Sequence, residues 1–445
     1  MVKRHLPENS LSKSPERALL VGVHLQQGRE RSSTESSINE LKRLVETAGG
    51  EPGGMLLQRR EKPDRALFVG RGKAKEIQEQ RAARDCDIVV FDNELTPTCQ
   101  RNLEKTIGCK VIDRTELILD IFAQHAKTRD GKLQVELAQL RYRLPRLPGK
   151  GALMSRLGGG IGTRGPGETQ IEIDRRRITE RIEKLKKRLQ KLRVHRSLQR
   201  KRRRRSDAVT VAIVGYTNAG KSTLMNLLSG AGVLTDDQLF ATLDTTTRRI
   251  ETDSGPPLLL TDTVGFIQNL PQNLLTAFRA TLEEVTEANA LLHVVDASVP
   301  DARKQIHAVL DVLDELGAGE KPILTVLNKV DRVEEQEILR CLRADFPPAV
   351  ETSALIGVGR DRLFFELGKL FRQSEIHFSL VLPYSRQSLL RTLHEKGQVF
   401  EERFEPDGIR IRAAAPRPVY HRIMSVLEKT SAERPIEGGG ETPAE

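Results

Sequence analysis

VTVAIVGYTNAGKSTLMNLL (residues 209–228) opens as an unbroken apolar run, turns polar at a glycine, and closes as a helix-forming segment. The pattern predicts a buried strand, a loop and a helix beginning at Lys221. The loop fits GxxxxGK[ST], with Gly215, Tyr216, Thr217, Asn218, Ala219, Gly220, Lys221 and Ser222 in order and Thr223 next. In that context Gly215 and Gly220 let backbone amides wrap a phosphate chain. Lys221 is placed to contact the β- and γ-phosphates and Ser222 to hold Mg²⁺. Two readings stay open for Asn218: a ligand for a monovalent cation such as K⁺, and a loop-stabilising side chain.

Downstream segments supply what a phosphate loop alone lacks. LLLTDTVGF (258–266) places Asp262 at a strand end, where it can hold Mg²⁺ through water, and brings Thr263, Val264 and the Gly265 amide toward the γ-phosphate. ILTVLNKVD (323–331) places Asn328, Lys329 and Asp331 at another strand end. A carboxylate there can accept from guanine N1 and N2 together, which adenine cannot offer, so GTP is the expected substrate. ETSA (351–354) adds Ser353 and Ala354 against the base edge. All of these motifs fall at strand C-termini, where open α/β sheets bind ligands. Between them FATLDTTTRR (240–249) suits a switch loop, with Thr246 the expected Mg²⁺ and γ-phosphate contact and Thr245 and Thr247 its rivals. The expected catalytic set is Lys221, Thr246 and Gly265, and the metal set Ser222, Thr246 and Asp262. Phe266 follows the DTVG motif, so no glutamine stands there to orient the attacking water.

The 445-residue length implies several cores. The four cysteines form no CxxC pair, and no apolar run is long enough for a membrane span, so a cytoplasmic location is expected. Residues 1–15 read as an unstructured lead-in. Residues 16–130 alternate apolar runs (ALLVGVHL, ALFVG, DIVVFD, CKVID) with helical patterns, a small and largely parallel α/β domain. GRGK (70–73) in that domain reads as a plain strand-to-helix turn, lacking the phosphate-loop spacing.

Residues 131–206 carry two leucine seams, Leu133, Leu137, Leu140, Leu144, Leu147 and Ile178, Ile182, Leu185, Leu189, Leu192, on either side of SRLGGGIGTRGPGETQ (155–170). Matching 4-3 spacing predicts a helical hairpin with a glycine-rich tip, its second arm started by a Thr169–Glu172 capping box. No strand precedes that loop and no Lys-Ser follows it, so it is not the nucleotide site. The chain's net charge is +11, while residues 175–205 hold 17 Lys and Arg against Glu180 and Glu183. So concentrated a charge predicts RNA backbone contact, from Arg175, Arg176 and Arg177 and, at the tip, Arg156, Gly158, Gly159, Gly160 and Arg164. Residues 207–373 then form the G domain, 374–428 a small α+β unit reading strand, helix, strand, strand, and 429–445 a disordered tail.

SRLGGGIGTRGPGETQ with IEIDRRRI, DTVGFIQNLP, LFATLDTTTR and FDNELTP…QRNLE resembles the HflX family within the Obg–HflX group of P-loop GTPases, over roughly residues 16–425. The resemblance implies an α/β N-terminal domain, a helical hairpin, a doubly wound, mostly parallel P-loop GTPase domain and a small C-terminal α+β domain. It implies a GTPase that binds the large ribosomal subunit in its GTP state and splits stalled or stressed 70S ribosomes; a Mg²⁺-dependent monomer that contacts rRNA and does not insert in a membrane is expected. A hydrophobic residue after DxxG, here Phe266, is usual in the group, whereas Thr245 stands where members often carry proline. The alternative is an RNA-binding assembly or quality-control factor in which GTP only gates binding.

Overall fold

The computed structural model describes residues 15–25, 31–147, 166–204, 209–230, 239–240, 245–251, 257–267, 282–373 and 375–431. The glycine-rich tip with Arg156, Gly158, Gly159, Gly160 and Arg164, switch residues 241–244, the first 14 residues and the tail from 432 lie outside them.

The first sheet is built from β1 (Arg17–Leu25), β2 (Glu51–Arg60), β3 (Ile88–Phe91) and β4 (Lys110–Asp113), all parallel in the order β2-β1-β3-β4. Its helices are α1 (Arg31–Thr47), α2 (Arg71–Ala83), α3 (Pro97–Ile107) and α4 (Arg114–His125). Leu19, Val21, Val89, Phe91 and Val111 pack with Ile77 of α2 and Leu103 of α3. Ala18, Leu20, Val90 and Ile112 face the other way, toward Leu41 of α1 and Ile118 and Phe122 of α4. Cover on both faces explains why the inner strands read as continuous apolar runs. Helix ends follow local chemistry: Thr96 caps α3 by accepting from the Cys99 amide (3.2 Å), with Pro97 in the first turn, and Gly108 closes it at φ 78°. Asp113 caps α4 by accepting from the Glu116 amide (3.0 Å).

Two readings of this region are corrected. ALFVG is not a strand; it is a turn closed by an Asp64–Phe68 bridge, and Gly70 is the N-cap of α2. The second strand is instead EPGGMLLQRR, an edge strand where Pro52, Gly53 and Gly54 are tolerated and the apolar residues alternate in exposure. GRGK is therefore a turn-to-helix start rather than a strand-to-helix turn.

The hairpin arms are α5 (Arg129–Arg143) and α6 (Pro166–Arg204). Leu133, Leu137, Ile182 and Leu185 form the seam, flanked by Leu140, Leu144, Ile178, Leu189 and Leu192, and Arg181 holds Glu136 in a bidentate pair at 2.7 and 3.0 Å. The capping box does not start the second arm: α6 begins at Pro166, ahead of Thr169, because proline's fixed φ suits a first helical position. With 39 residues α6 is about 58 Å long, against about 22 Å for the 15 residues of α5, so α6 extends well beyond the length of its described partner arm.

The second sheet holds β5 (Val209–Gly215), β6 (Thr246–Ile250), β7 (Leu258–Asp262), β8 (Ala290–Asp296), β9 (Ile323–Asn328) and β10 (Ala349–Glu351) in the order β10-β9-β8-β5-β7-β6. Only β6 runs antiparallel, paired with β7. α7 (Lys221–Ser229), α8 (Ala302–Glu315), α9 (Gln336–Asp345) and α10 (Arg360–Gln373) cover it. One buried cluster runs without a break from this sheet into the α1–α4 face of the first, where Phe122 and Phe240 meet edge-to-face at 4.7 Å.

The last sheet is antiparallel, β11 (Glu375–Leu382), β13 (Gly408–Pro416) and β12 (Gln398–Glu405), backed by α11 (Gln387–Lys396) and α12 (Arg417–Ser431). The strand-helix-strand-strand reading omits α12, whose Val419 and Ile423 complete the core under β13. No pair joins the four cysteines.

Candidate nucleotide site

The phosphate loop runs from the end of β5 to the start of α7, and its glycines are there for space. A Cβ on Gly215 (φ +150°) would stand 2.2 Å from the Val294 carbonyl oxygen, and one on Gly220 (φ +91°) 2.3 Å from Asn328 Nδ2. Lys221 is buried, and its Nζ donates to the carbonyls of Gly215 (3.2 Å) and Tyr216 (2.7 Å). Burial pushes its pKa down to about 8, with Lys329 adding to the effect and Asp262 opposing it. Ser222 Oγ, in the first turn of α7, donates to Asp262 Oδ2 at the end of β7 at 2.8 Å. Thr246 is the first residue of β6 and stands opposite Asp262 in the β6–β7 register, with its side chain exposed. Thr247 instead hydrogen-bonds the Thr261 hydroxyl at 3.0 Å, which turns it away from that role.

The base side is equally knit. Asn328 Nδ2 donates to the Ala219 carbonyl (2.9 Å) while its Oδ1 accepts from the Ala354 amide (2.9 Å), tying the phosphate loop to the ETSA segment. Ser353 Oγ donates to Asp331 Oδ1 and aims that carboxylate. Lys329, at φ +62°, reaches the Asn218 carbonyl (2.8 Å) and pairs with Asp296 (2.7 Å). Thr263 Oγ1 donates to the Ile213 carbonyl at 2.7 Å and Val264 is buried, so these two shape the loop that carries Gly265. Ala219 and Thr223 complete the loop and the first turn of α7.

Several contributors carry no motif of their own. Asp296 could have been found from its position at the end of β8, by the same strand-end rule. Tyr216 Oη donates to Glu40 of α1, and Glu40 with Asp92 holds the buried Arg114 guanidinium. That chain joins residues far apart in sequence, and no local pattern signals it.

A phosphate loop, a strand-end aspartate bonded to its serine, and an aspartate aimed by a serine at the base side together define a P-loop GTPase. Three family models match in sequence order: GTP-binding GTPase N-terminal over residues 35–123, GTP-binding GTPase Middle Region over 125–203, and 50S ribosome-binding GTPase over 210–329. GTPase HflX of Caldanaerobacter subterraneus subsp. tengcongensis is 44% identical over 94% of this chain and 95% of its own. That of Escherichia coli K12 is 43% identical over 88% and 92%. The chain belongs to the GTPase HflX family and is a GTP-binding, GTP-hydrolysing enzyme. Among solved structures, the complex of SsGBP with GDP matches 80% of this chain and 99% of its own at 25% identity, with a TM-score of 0.44. Among the described residues no helix is long and apolar enough to cross a membrane.

Proposed function

We propose that the chain acts in the cytoplasm as a monomer that binds the large ribosomal subunit in its GTP state, splits stalled 70S ribosomes and leaves on hydrolysis. The observation that carries this is α6, a 39-residue helix loaded with Lys and Arg, in the same chain as the nucleotide site. Arg175, Arg176 and Arg177 are exposed near its start and are proposed to contact rRNA phosphates. The tip residues 156, 158–160 and 164 are proposed to approach RNA as well, the glycines allowing close backbone contact.

At the nucleotide, Gly215 to Thr223 cradle the phosphates, Lys221 neutralises the β- and γ-phosphates, and Asp262 to Gly265 close the γ-phosphate end. Asn328, Lys329, Asp331, Ser353 and Ala354 select guanine. Ser222, Asp262 and Thr246 would hold Mg²⁺; the 2.8 Å Ser222–Asp262 contact and the position of Thr246 opposite Asp262 in the strand register support this. Bound there, the ion would neutralise charge on the β- and γ-phosphate oxygens. Asn218, at φ +59° in the loop, is the proposed contact for K⁺.

Sedimentation of 70S ribosomes with the full chain and a non-hydrolysable GTP analogue tests the proposal. Separated subunits are expected; intact 70S particles that carry bound protein would instead make it a GTP-gated binding factor. Asp331→Asn should cost GTP affinity about a hundredfold or more, and an unchanged nucleotide profile would refute the base-reading role.

A further inference from the structure

Phe266 takes the place where a water-orienting side chain would stand, and its ring is buried in the core. Its backbone is used instead. The Phe266 amide donates to the Gly215 carbonyl (3.1 Å), and the Thr217 amide donates to the Phe266 carbonyl (2.7 Å). These two bonds strap the third residue of the phosphate loop against the DTVG segment. A Cβ on Gly265 would lie 2.8 Å from Thr217 Cγ2 and 2.9 Å from Lys221 Nζ, so Thr217, Gly265 and Lys221 converge on one point. Thr217 is 6% exposed, and its Oγ1 is buried with no hydrogen-bond partner among the described residues. Buried hydroxyls are almost always satisfied, and one left open beside a phosphate site is waiting for a ligand.

We propose that Thr217 is a catalytic residue whose hydroxyl holds the attacking water against the γ-phosphoryl group of GTP. This rests on the assignment of Lys221 and Gly265 to the γ-phosphate end. A hydroxyl has one donor and two acceptor lone pairs, so it can donate to a γ-phosphoryl oxygen while accepting from the water. The water oxygen bonds to phosphorus, and the bond from phosphorus to the bridging oxygen breaks with its electron pair leaving on GDP. The water proton ends on the released phosphate, and Thr217 neither gains nor loses one. β-Branching restricts χ1, and the methyl packed toward Gly265 fixes the direction of the hydroxyl. Valine keeps that shape and removes only the hydrogen bonds.

The test is single-turnover GTP hydrolysis by the full chain with Mg²⁺, alongside affinities for GDP and for GDP with aluminium fluoride. Thr217→Val is expected to bind GDP as tightly as the parent, to hydrolyse GTP about tenfold more slowly or worse, and to lose its preference for the aluminium fluoride complex by a similar factor. Thr217→Ser should recover most of the rate. A parental rate in Thr217→Val overturns the proposal, and so does an equal loss of GDP affinity, which would make the hydroxyl a loop-building group. If thermal melting shows Thr217→Val unfolded, Thr217→Ala is read for the same two outcomes. Lys221→Ala separates the underlying assignment: undiminished GTP affinity in that variant sinks the site itself, whatever Thr217 does.

Discussion

Lys221, proposed to neutralise phosphates, sits in a place that disfavours a cation. Burial lowers its pKa from 10.5 to about 8 in the empty protein, and bound phosphates would restore the charged form. At pH 9 the empty site holds mostly neutral lysine, so GTP binding should take up close to one proton, and at pH 7 almost none. Affinity should accordingly fall as the pH rises above about 8. Titration calorimetry at pH 9 in two buffers of different ionisation heat checks this, and identical heats would contradict it. The stability sign follows from the same shift. A folded value below the unfolded one means a contribution that is full above pH 10.5 and lost as the pH falls through about 8. His293 repeats the logic at lower pH. Buried in the sheet next to Lys221, it is pushed down to about 4 from 6.5, first by burial and then by the lysine charge. Its contribution is present above pH 6.5 and lost as the pH falls through 4. His293→Leu should flatten the loss of denaturant resistance between pH 7 and pH 4.5, and an equally steep loss in that variant would remove His293 as its cause.

At the scale of elements, α6 joins a packed apolar seam to an exposed basic face. Leu185 is fully buried in the seam, and Leu185→Ala should destabilise the hairpin by about 2–4 kcal/mol, seen as earlier proteolysis between α5 and α6. Arg175, Arg176 and Arg177 are exposed, and the Arg177–Asp174 pair is a solvent-exposed contact at 3.9 Å, so replacing all of them with alanine should leave melting unchanged. It should lower the salt slope of large-subunit binding by about 0.7–0.9 per arginine, and an unaltered slope would exclude them from the RNA interface. The leucine seam was legible because 4-3 spacing survives any sequence context, and Gly215–Ser222 because its residue types are dictated by phosphate geometry. β2 carries no such signal, because Pro52, Gly53 and Gly54 break the strand pattern, while an edge strand has a free side that tolerates them. α12 carries no strong start signal in sequence: it follows β13 directly, with Pro418 in its first turn. The start of α6 lies ahead of the Thr169–Glu172 capping pattern, because Pro166 already fits a first helical position.

Across the whole molecule, the first sheet and the nucleotide-binding sheet share one buried cluster, and their polar contact sits on the phosphate loop itself. Tyr216 donates to Glu40, Glu40 and Asp92 hold Arg114, and Ser37 Oγ donates to Asp92 at 2.5 Å. Burial lowers the Arg114 pKa, but the two carboxylates outweigh it and the net shift is upward. Removing that guanidinium would leave both acids buried without their partner, so Arg114→Ala should cost about 3–5 kcal/mol and loosen α1 from α4. Residues so joined should respond to nucleotide together. GTP at a hundredfold its Kd stabilises whatever unfolds with its site by about 2.7 kcal/mol. Hydrogen exchange should therefore show the amides of β1, β3 and β4 gaining protection along with those of β5, β7 and β9. Phe122→Ala combined with Tyr216→Phe removes the edge-to-face contact and the Glu40 bond while sparing the phosphate-binding backbone. In that variant the gain should remain in the nucleotide sheet and vanish from the first. Protection of β1, β3 and β4 that ignores nucleotide in the parent protein would mean the two sheets open independently, and the shared core would then be contact without coupling.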